Sequence, residues 1–403
     1  MLRISNRGIN MAESPIRKLS SISNKVKAQG KKVIHLNIGQ PDIPPPAEVL
    51  EAASNIKIDA IKYGPSDGLP KLKTGIKNYY LRNGIQVDES DILVCSGASE
   101  AILFVMNAVT DFGDEILTFE PFYANYIGFA VFEGVNIRTI RANINDDFAL
   151  PDFDKIEEHI SPKTKAILLC NPNNPTGYVY SRREMEVLRD VALKYNLYLI
   201  VDEVYREFFY EEKHSTAENS VLNFPELTEH AIMLDSISKR YSMCGARIGC
   251  IVSRNQEVMK TIMKYAQARL CPPAIEQELA TIAYSVDDQY LRNVVAEYKI
   301  RRDFLVSRLD KMAGVISSHP MGAFYAMVEL PVKDTDEFAK WLLEDFEWNG
   351  ETLMVAPGSG FYNNPHNGKH QIRIAYVLDI KDLERALVIL EEALKVYPNR
   401  TDN

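Results

Sequence analysis

The sequence predicts an α/β fold: a large domain whose mostly parallel, mixed sheet is covered by helices on both faces, joined to a smaller α+β domain. Two observations carry this. From about residue 91, apolar runs of about five residues alternate with amphipathic helical patterns, as in a parallel sheet buried on both sides. After about residue 275, long helical patterns and a few short strands replace that alternation.

The elements follow in order. PIRKLSSISNKVKAQG reads as a helix, and the N-terminal stretch, residues 1–45, is expected to pack with the C-terminal part. LPKLKTGIKNYYLRNG opens with a proline suited to a first helical turn, and Leu72, Ile76, Tyr79 and Tyr80 recur at helical spacing. Within the large domain, residues 46–285, DILVC precedes SEAILFVMNAV, EILTF precedes FYANYIGFAVF, and AILLC precedes SRREMEVLRDVALKYN; LYLIV, AIMLD and IGCIV follow. The small domain, residues 286–403, offers AFYAMVEL, TDEFAKWLLEDF, the loop APGSGFYNNPHNGKH, the strand QIRIAY and a last helix, KDLERALVILEEALKVY.

Composition excludes several classes. The 403 residues carry 46 Lys and Arg against 55 Asp and Glu, net −9, so no global basic field holds a nucleic acid or an anionic membrane. The longest apolar run, AILFVM, is far short of a membrane span, and MLRISNRGIN has no apolar leader segment. Five cysteines without CxxC pairs suit a reducing, cytoplasmic setting, and the seven histidines lack metal-binding spacing.

Open α/β sheets bind ligands beyond the carboxyl ends of their strands. After DILVC, Ser96-Gly97-Ala98-Ser99 opens a helix whose first N–H groups can cradle an anion or simply cap. After EILTF come Phe122 and Tyr123, a stacking face or ordinary packing. The double X-Pro turn NPNNPTG after AILLC holds Asn174 rigidly at the sheet edge. Asp202, ending LYLIVD, must be paired, whether by a cationic heterocycle, a neighbouring arginine or a helix cap; Tyr205 follows it. After AIMLD come Ser236 and Lys239, then Arg247. An anion cradle, an aromatic plate, an amide, a buried carboxylate, a phenol and an amine at successive strand ends are the set that pyridoxal 5'-phosphate requires.

YGPSDGLPKL, SGASEA, NPNNPTG, VDEVY, SISKRYSMCGARIG and QIRIAY resemble, in this order, the signatures of fold-type I, class I/II aminotransferases, the group that includes the aspartate aminotransferases. The resemblance runs from LNIGQPD, at residue 36, to the C-terminus. It implies that Lys239 forms the Schiff base and shuttles the proton, that Asp202 keeps the pyridine nitrogen protonated, and that Tyr205 and Asn174 bond the ring hydroxyl. It implies a phosphate site of Gly97, Ala98, Ser99, Ser236 and Arg247, completed by Tyr63 from the neighbouring subunit of a homodimer. Tyr123 takes the stacking position, and Arg373 with the Gly39 N–H binds the substrate α-carboxylate.

The implied reaction is ping-pong transfer of an amino group from an L-amino acid, with aspartate as leading donor, to a 2-oxo acid, 2-oxoglutarate. Alanine, aromatic or methionine-like donors, or C–S β-lyase chemistry on the same cofactor, are the alternatives. A non-catalytic sensor would need an appended DNA-binding segment, and none is evident. In some aspartate enzymes a further cation from the partner subunit binds the distal carboxylate; the candidates here are Arg269, in AQARLCPPA, or a lysine, although LCPP departs from the Ser/Thr- and Asn-bearing turn common in aspartate enzymes.

Overall fold

The computed structural model describes residues 2–11, 13–56, 60–211 and 216–401. Its strands are β1 (Lys32–His35), β2 (Ile92–Cys95), β3 (Glu115–Glu120), β4 (Asn136–Arg141), β5 (Thr164–Cys170), β6 (Tyr198–Asp202), β7 (Ala231–Ser236), β8 (Gly249–Val252), β9 (Ile316–Ser317), β10 (Tyr325–Glu329), β11 (Glu351–Met354), β12 (Ala356–Pro357) and β13 (Gln371–Ala375). Seven form the main sheet in the order β2-β8-β7-β6-β5-β3-β4. All its pairs are parallel except those of β8, which runs antiparallel to β2 and β7.

Side chains alternate across this sheet as the strand period demands. Ile167, Leu169, Leu199 and Val201 pack on one face with Leu72, Ile76, Met185 and Leu188 of the helices Pro70–Arg82 and Arg182–Tyr195. Ala166, Leu168 and Ile200 pack on the other with residues of Ala98–Val109 and Gln256–Arg269. Both faces are covered, so the strands read as continuous apolar runs.

Beyond the main sheet lie the antiparallel order β12-β13-β10-β9 and the parallel pair β1-β11. Through that pair the N-terminal stretch joins the C-terminal core, where Leu19, Val26, Val33, Ile34 and Leu36 are buried with Leu383, Leu387 and Leu390 of the last helix. The pattern after residue 275, continuous by periodicity, is two helices, Ala274–Ala283 and Gln289–Leu309. Among the described residues no helix is long and apolar enough to cross a membrane, and no cluster of His, Cys, Asp and Glu could hold a metal ion.

Candidate active site

A cavity of about 720 Å³ opens where β5, β6 and β7 end, between the main sheet and β10 and β13. Lys239, Asp202, Tyr205, Ala98, Ser99, Tyr123, Asn174, Ser236, Arg247, Gly39 and Arg373 all line it. Residues up to 334 apart in sequence therefore converge on one volume.

Lys239 sits in the short helical turn Ile237–Arg240 that leaves β7. Its Nζ donates to the Gly39 carbonyl at 2.8 Å and lies 3.7 Å from Cys244 Sγ. Gly39 thus engages the amine through its C=O. A side chain is excluded there, because a Cβ would lie 1.8 Å from Tyr325 Oη.

Asp202 ends β6, buried, and accepts from Tyr126 Oη at 3.1 Å and from the Val204 N–H at 3.3 Å. Burial pushes its carboxyl up to about 6, against the smaller opposing pull of those two donors. Two long hydrogen bonds leave acceptor capacity on a buried carboxylate, and a cation arriving from the cavity would hold it ionised. Arg240, on the turn that leaves the adjacent strand, goes to Asp235.

Asn174 links the other polar groups. Its Nδ2 lies 3.4 Å from Tyr205 Oη, and its Oδ1 accepts from Arg373 at 3.0 Å. Tyr205 Oη is also 2.9 Å from Tyr325 Oη. Arg373, in β13 between β12 and β10, is fully buried, donates to the Asn37 carbonyl and lies 4.4 Å from the Tyr325 ring centroid. Its Nε has no partner, and burial holds its guanidinium below the usual range. A cation so short of counter-charge suits a carboxylate ligand, which its planar fork can take through two hydrogen bonds.

At the end of β2, Gly97 turns with φ +81° into the helix Ala98–Val109, with no side chain capping it. The guanidinium of Arg247 lies so close that a Cβ on Gly97 would be 2.3 Å from its Nη2. Free helix N–H groups, the positive end of the dipole and an arginine face the same space, which suits a phosphate. Ser236 Oγ, 2.8 Å from both Ser238 Oγ and the Ile248 carbonyl, borders it. Tyr123 is half-buried; its phenol accepts from Asn125 at 2.7 Å and is pushed up to about 12 by desolvation.

Two residues fall elsewhere. Tyr63 is 81% exposed and does not border this chain's cavity. Arg269, the candidate from a neighbouring subunit, does not line this chain's own cavity; it is 2.7 Å from Glu100 and donates to the Ser66 carbonyl at 2.9 Å. Glu100 in turn accepts from the Ser96 N–H at 2.8 Å, so this ion pair braces the anion cradle from behind. Sequence reasoning missed Tyr126, Tyr325, Asn37 and Arg17. Only Tyr126 had a local signal, one turn beyond Tyr123 on a helix.

Sheet topology, a lysine at a strand exit, a buried carboxylate with acceptor capacity left and a phosphate-type cradle define a pyridoxal-phosphate-dependent enzyme of fold type I. The model of the family "Aminotransferase class I and II" matches residues 31–390, and the chain belongs to that family, which depends on pyridoxal phosphate. It is 31% identical to a probable aspartate aminotransferase of Methanocaldococcus jannaschii, covering 96% of this chain and 99% of that one. It is also 31% identical to an aspartate aminotransferase of Thermotoga maritima, covering 95% and 98%. Among solved structures, an alanine aminotransferase from Pyrococcus furiosus matches with a TM-score of 0.87 at 31% identity, over 98% of this chain and all of that one.

Proposed function

We propose that this aminotransferase moves the amino group of an L-amino acid, with aspartate as leading donor, to 2-oxoglutarate by a ping-pong course. The observation that carries the reading is the convergence of Lys239, Asp202 and Arg373 on one cavity. Aspartate is supported by the two aspartate aminotransferases to which the chain is similar; alanine is the second donor to test, after the P. furiosus structure.

Pyridoxal phosphate, when bound, supplies an electrophilic carbon and a ring that takes up an electron pair. The Gly97, Ala98 and Ser99 backbone, Ser236 and Arg247 would hold its phosphate, with Tyr63 of a second subunit in a homodimer. Tyr123 would stack on the ring, Asn174 and Tyr205 would donate to its hydroxyl oxygen, and Asp202, ionised opposite the ring nitrogen, would keep a proton there. Lys239 holds and moves the proton at the substrate Cα, its amine aligned by the Gly39 carbonyl. Arg373 and the Gly39 N–H orient the α-carboxylate. We also assign the chain to the cytoplasm, in keeping with five free cysteines, and divide it at residues 45 and 285, each between strands of different sheets.

The test mixes purified, cofactor-loaded protein with aspartate, alanine, phenylalanine or methionine, without an oxo acid. Loss of the visible cofactor band, fastest with aspartate, together with one equivalent of oxaloacetate, is expected. Pyruvate and ammonia released over many turnovers would overturn transamination in favour of β-elimination.

A further inference from the structure

Four cationic side chains line the cavity: Lys239, Arg247, Arg373 and Arg17. Three are engaged. Lys239 is held by Gly39, Arg247 donates to the Cys244 carbonyl at 3.0 Å beside the anion cradle, and Arg373 is held by Asn174 and Asn37. The fourth comes from the N-terminal stretch, in the turn before the helix Ser20–Ala28. Among the described residues its guanidinium has no hydrogen-bond or ion-pair partner.

The backbone on either side of Arg17 is nevertheless fixed. Pro15 packs on Gly360 so closely that a Cβ there would lie 2.1 Å from the Pro15 Cβ. The Ile16 carbonyl accepts from Asn37 Nδ2 at 2.7 Å, and the Arg17 N–H donates to the Ser14 carbonyl at 2.9 Å. Lys18 is paired with Asp336, which also accepts from Ser359 at 2.5 Å. Asn37 is the connecting residue: its amide holds the carbonyl next to Arg17, while its own carbonyl takes the Arg373 guanidinium. A single buried asparagine therefore sets the register between the two arginines.

We propose that Arg17, supplied by the same chain, reads the side-chain carboxylate of a dicarboxylic substrate while Arg373 takes the α-carboxylate. A pinned backbone presenting a partnerless cation to the cavity limits the entropy lost when an anion docks, and a guanidinium can grip a carboxylate through two donors. Asp202 is the one carboxylate among the lining residues, so the cavity has cationic capacity beyond the needs of a phosphate and one carboxylate. This assignment favours Arg17 over Arg269, whose charge Glu100 already meets, and it rests on the aminotransferase reading above.

The test compares wild type with Arg17→Ala, Arg17→Gln and Arg17→Lys in cofactor-loaded protein. Two readouts apply: kcat/KM with aspartate, glutamate and alanine, and calorimetric affinity for succinate against propionate. Arg17→Ala and Arg17→Gln are expected to lower kcat/KM for aspartate and glutamate about 10- to 150-fold relative to alanine, through KM, as loss of a charged hydrogen-bonded contact does. Succinate should weaken by a similar factor relative to propionate, and Arg17→Lys should restore part of both. Equal losses on aspartate and alanine would mean that Arg17 only shapes the segment, and no change would mean that it faces solvent idly; either overturns the proposal. If wild type transaminates no amino acid, the functional reading fails and this assignment falls with it. If wild type transaminates but the variants show no selective loss, this assignment alone fails.

Discussion

Two aspartates at the ends of neighbouring strands show how one residue type serves opposite ends. Asp235, in β7, accepts from Arg240 at 2.6 and 2.9 Å, from Tyr80 at 2.7 Å and from the Ser236 N–H at 2.7 Å. Every lone-pair direction is used and both charges are fully buried. Asp202, in β6, has one phenol and one N–H at longer range, and its carboxyl sits near 6. A carboxylate closed by protein groups locks the turn that carries Lys239, whereas one left partly open is available to a ligand. Burial is common to both; satisfaction separates the structural aspartate from the functional one.

The sharpest way to break this contrast is to remove each carboxylate in turn. Asp235→Ala strands Arg240 in the interior, and urea unfolding should show a loss of about 3–5 kcal/mol. Asp202→Ala in the cofactor-free protein should cost far less, since no buried cation depends on it. Equal losses would erase the distinction.

Titration gives the next largest effect. Because burial raises the Asp202 pKa from 3.8 to about 6, the protonated form is favoured on folding. Its contribution to stability is present below about pH 4 and is lost as pH rises through about 6. In cofactor-free protein, the stability of wild type minus that of Asp202→Asn should therefore fall by about 2 kcal/mol between pH 4 and pH 7. Glu203 and Glu207, also raised by burial, are present in both proteins and cancel. A flat difference would mean that Asp202 is as well satisfied as Asp235.

The smallest perturbation is Tyr126→Phe, which deletes the phenol donating to Asp202. It should raise the Asp202 pKa further, as read by carboxyl NMR, and cost about 1 kcal/mol. An unmoved titration would show that the 3.1 Å contact carries no weight.

Much of this was legible in the sequence because strands buried on both faces announce themselves as apolar runs with abrupt polar stops. Lys239, Asp202 and Asn174 lie just where such runs end. The edge strand β4 was not legible: NIRTIR has polar residues among its isoleucines, buries only Ile140 fully and offers no apolar run. Tyr325, Asn37 and Arg17 were hidden for a different reason. Tyr325 and Arg17 come to line the cavity, and Asn37 to hold Arg373 behind it, through a fold in which β1 pairs with β11 and β10 with β13, pairings that no local pattern declares. The pairing of Arg269 was not legible either, because its partner, Glu100, belongs to another helix, and ion pairing across helices leaves no mark on either segment.

The most direct test of the central claim is borohydride reduction of the pyridoxal-phosphate-loaded protein, followed by peptide mass spectrometry. The account predicts one pyridoxyl adduct per chain, on Lys239, and none after Lys239→Ala. An adduct on another lysine, or one retained in Lys239→Ala, would contradict it.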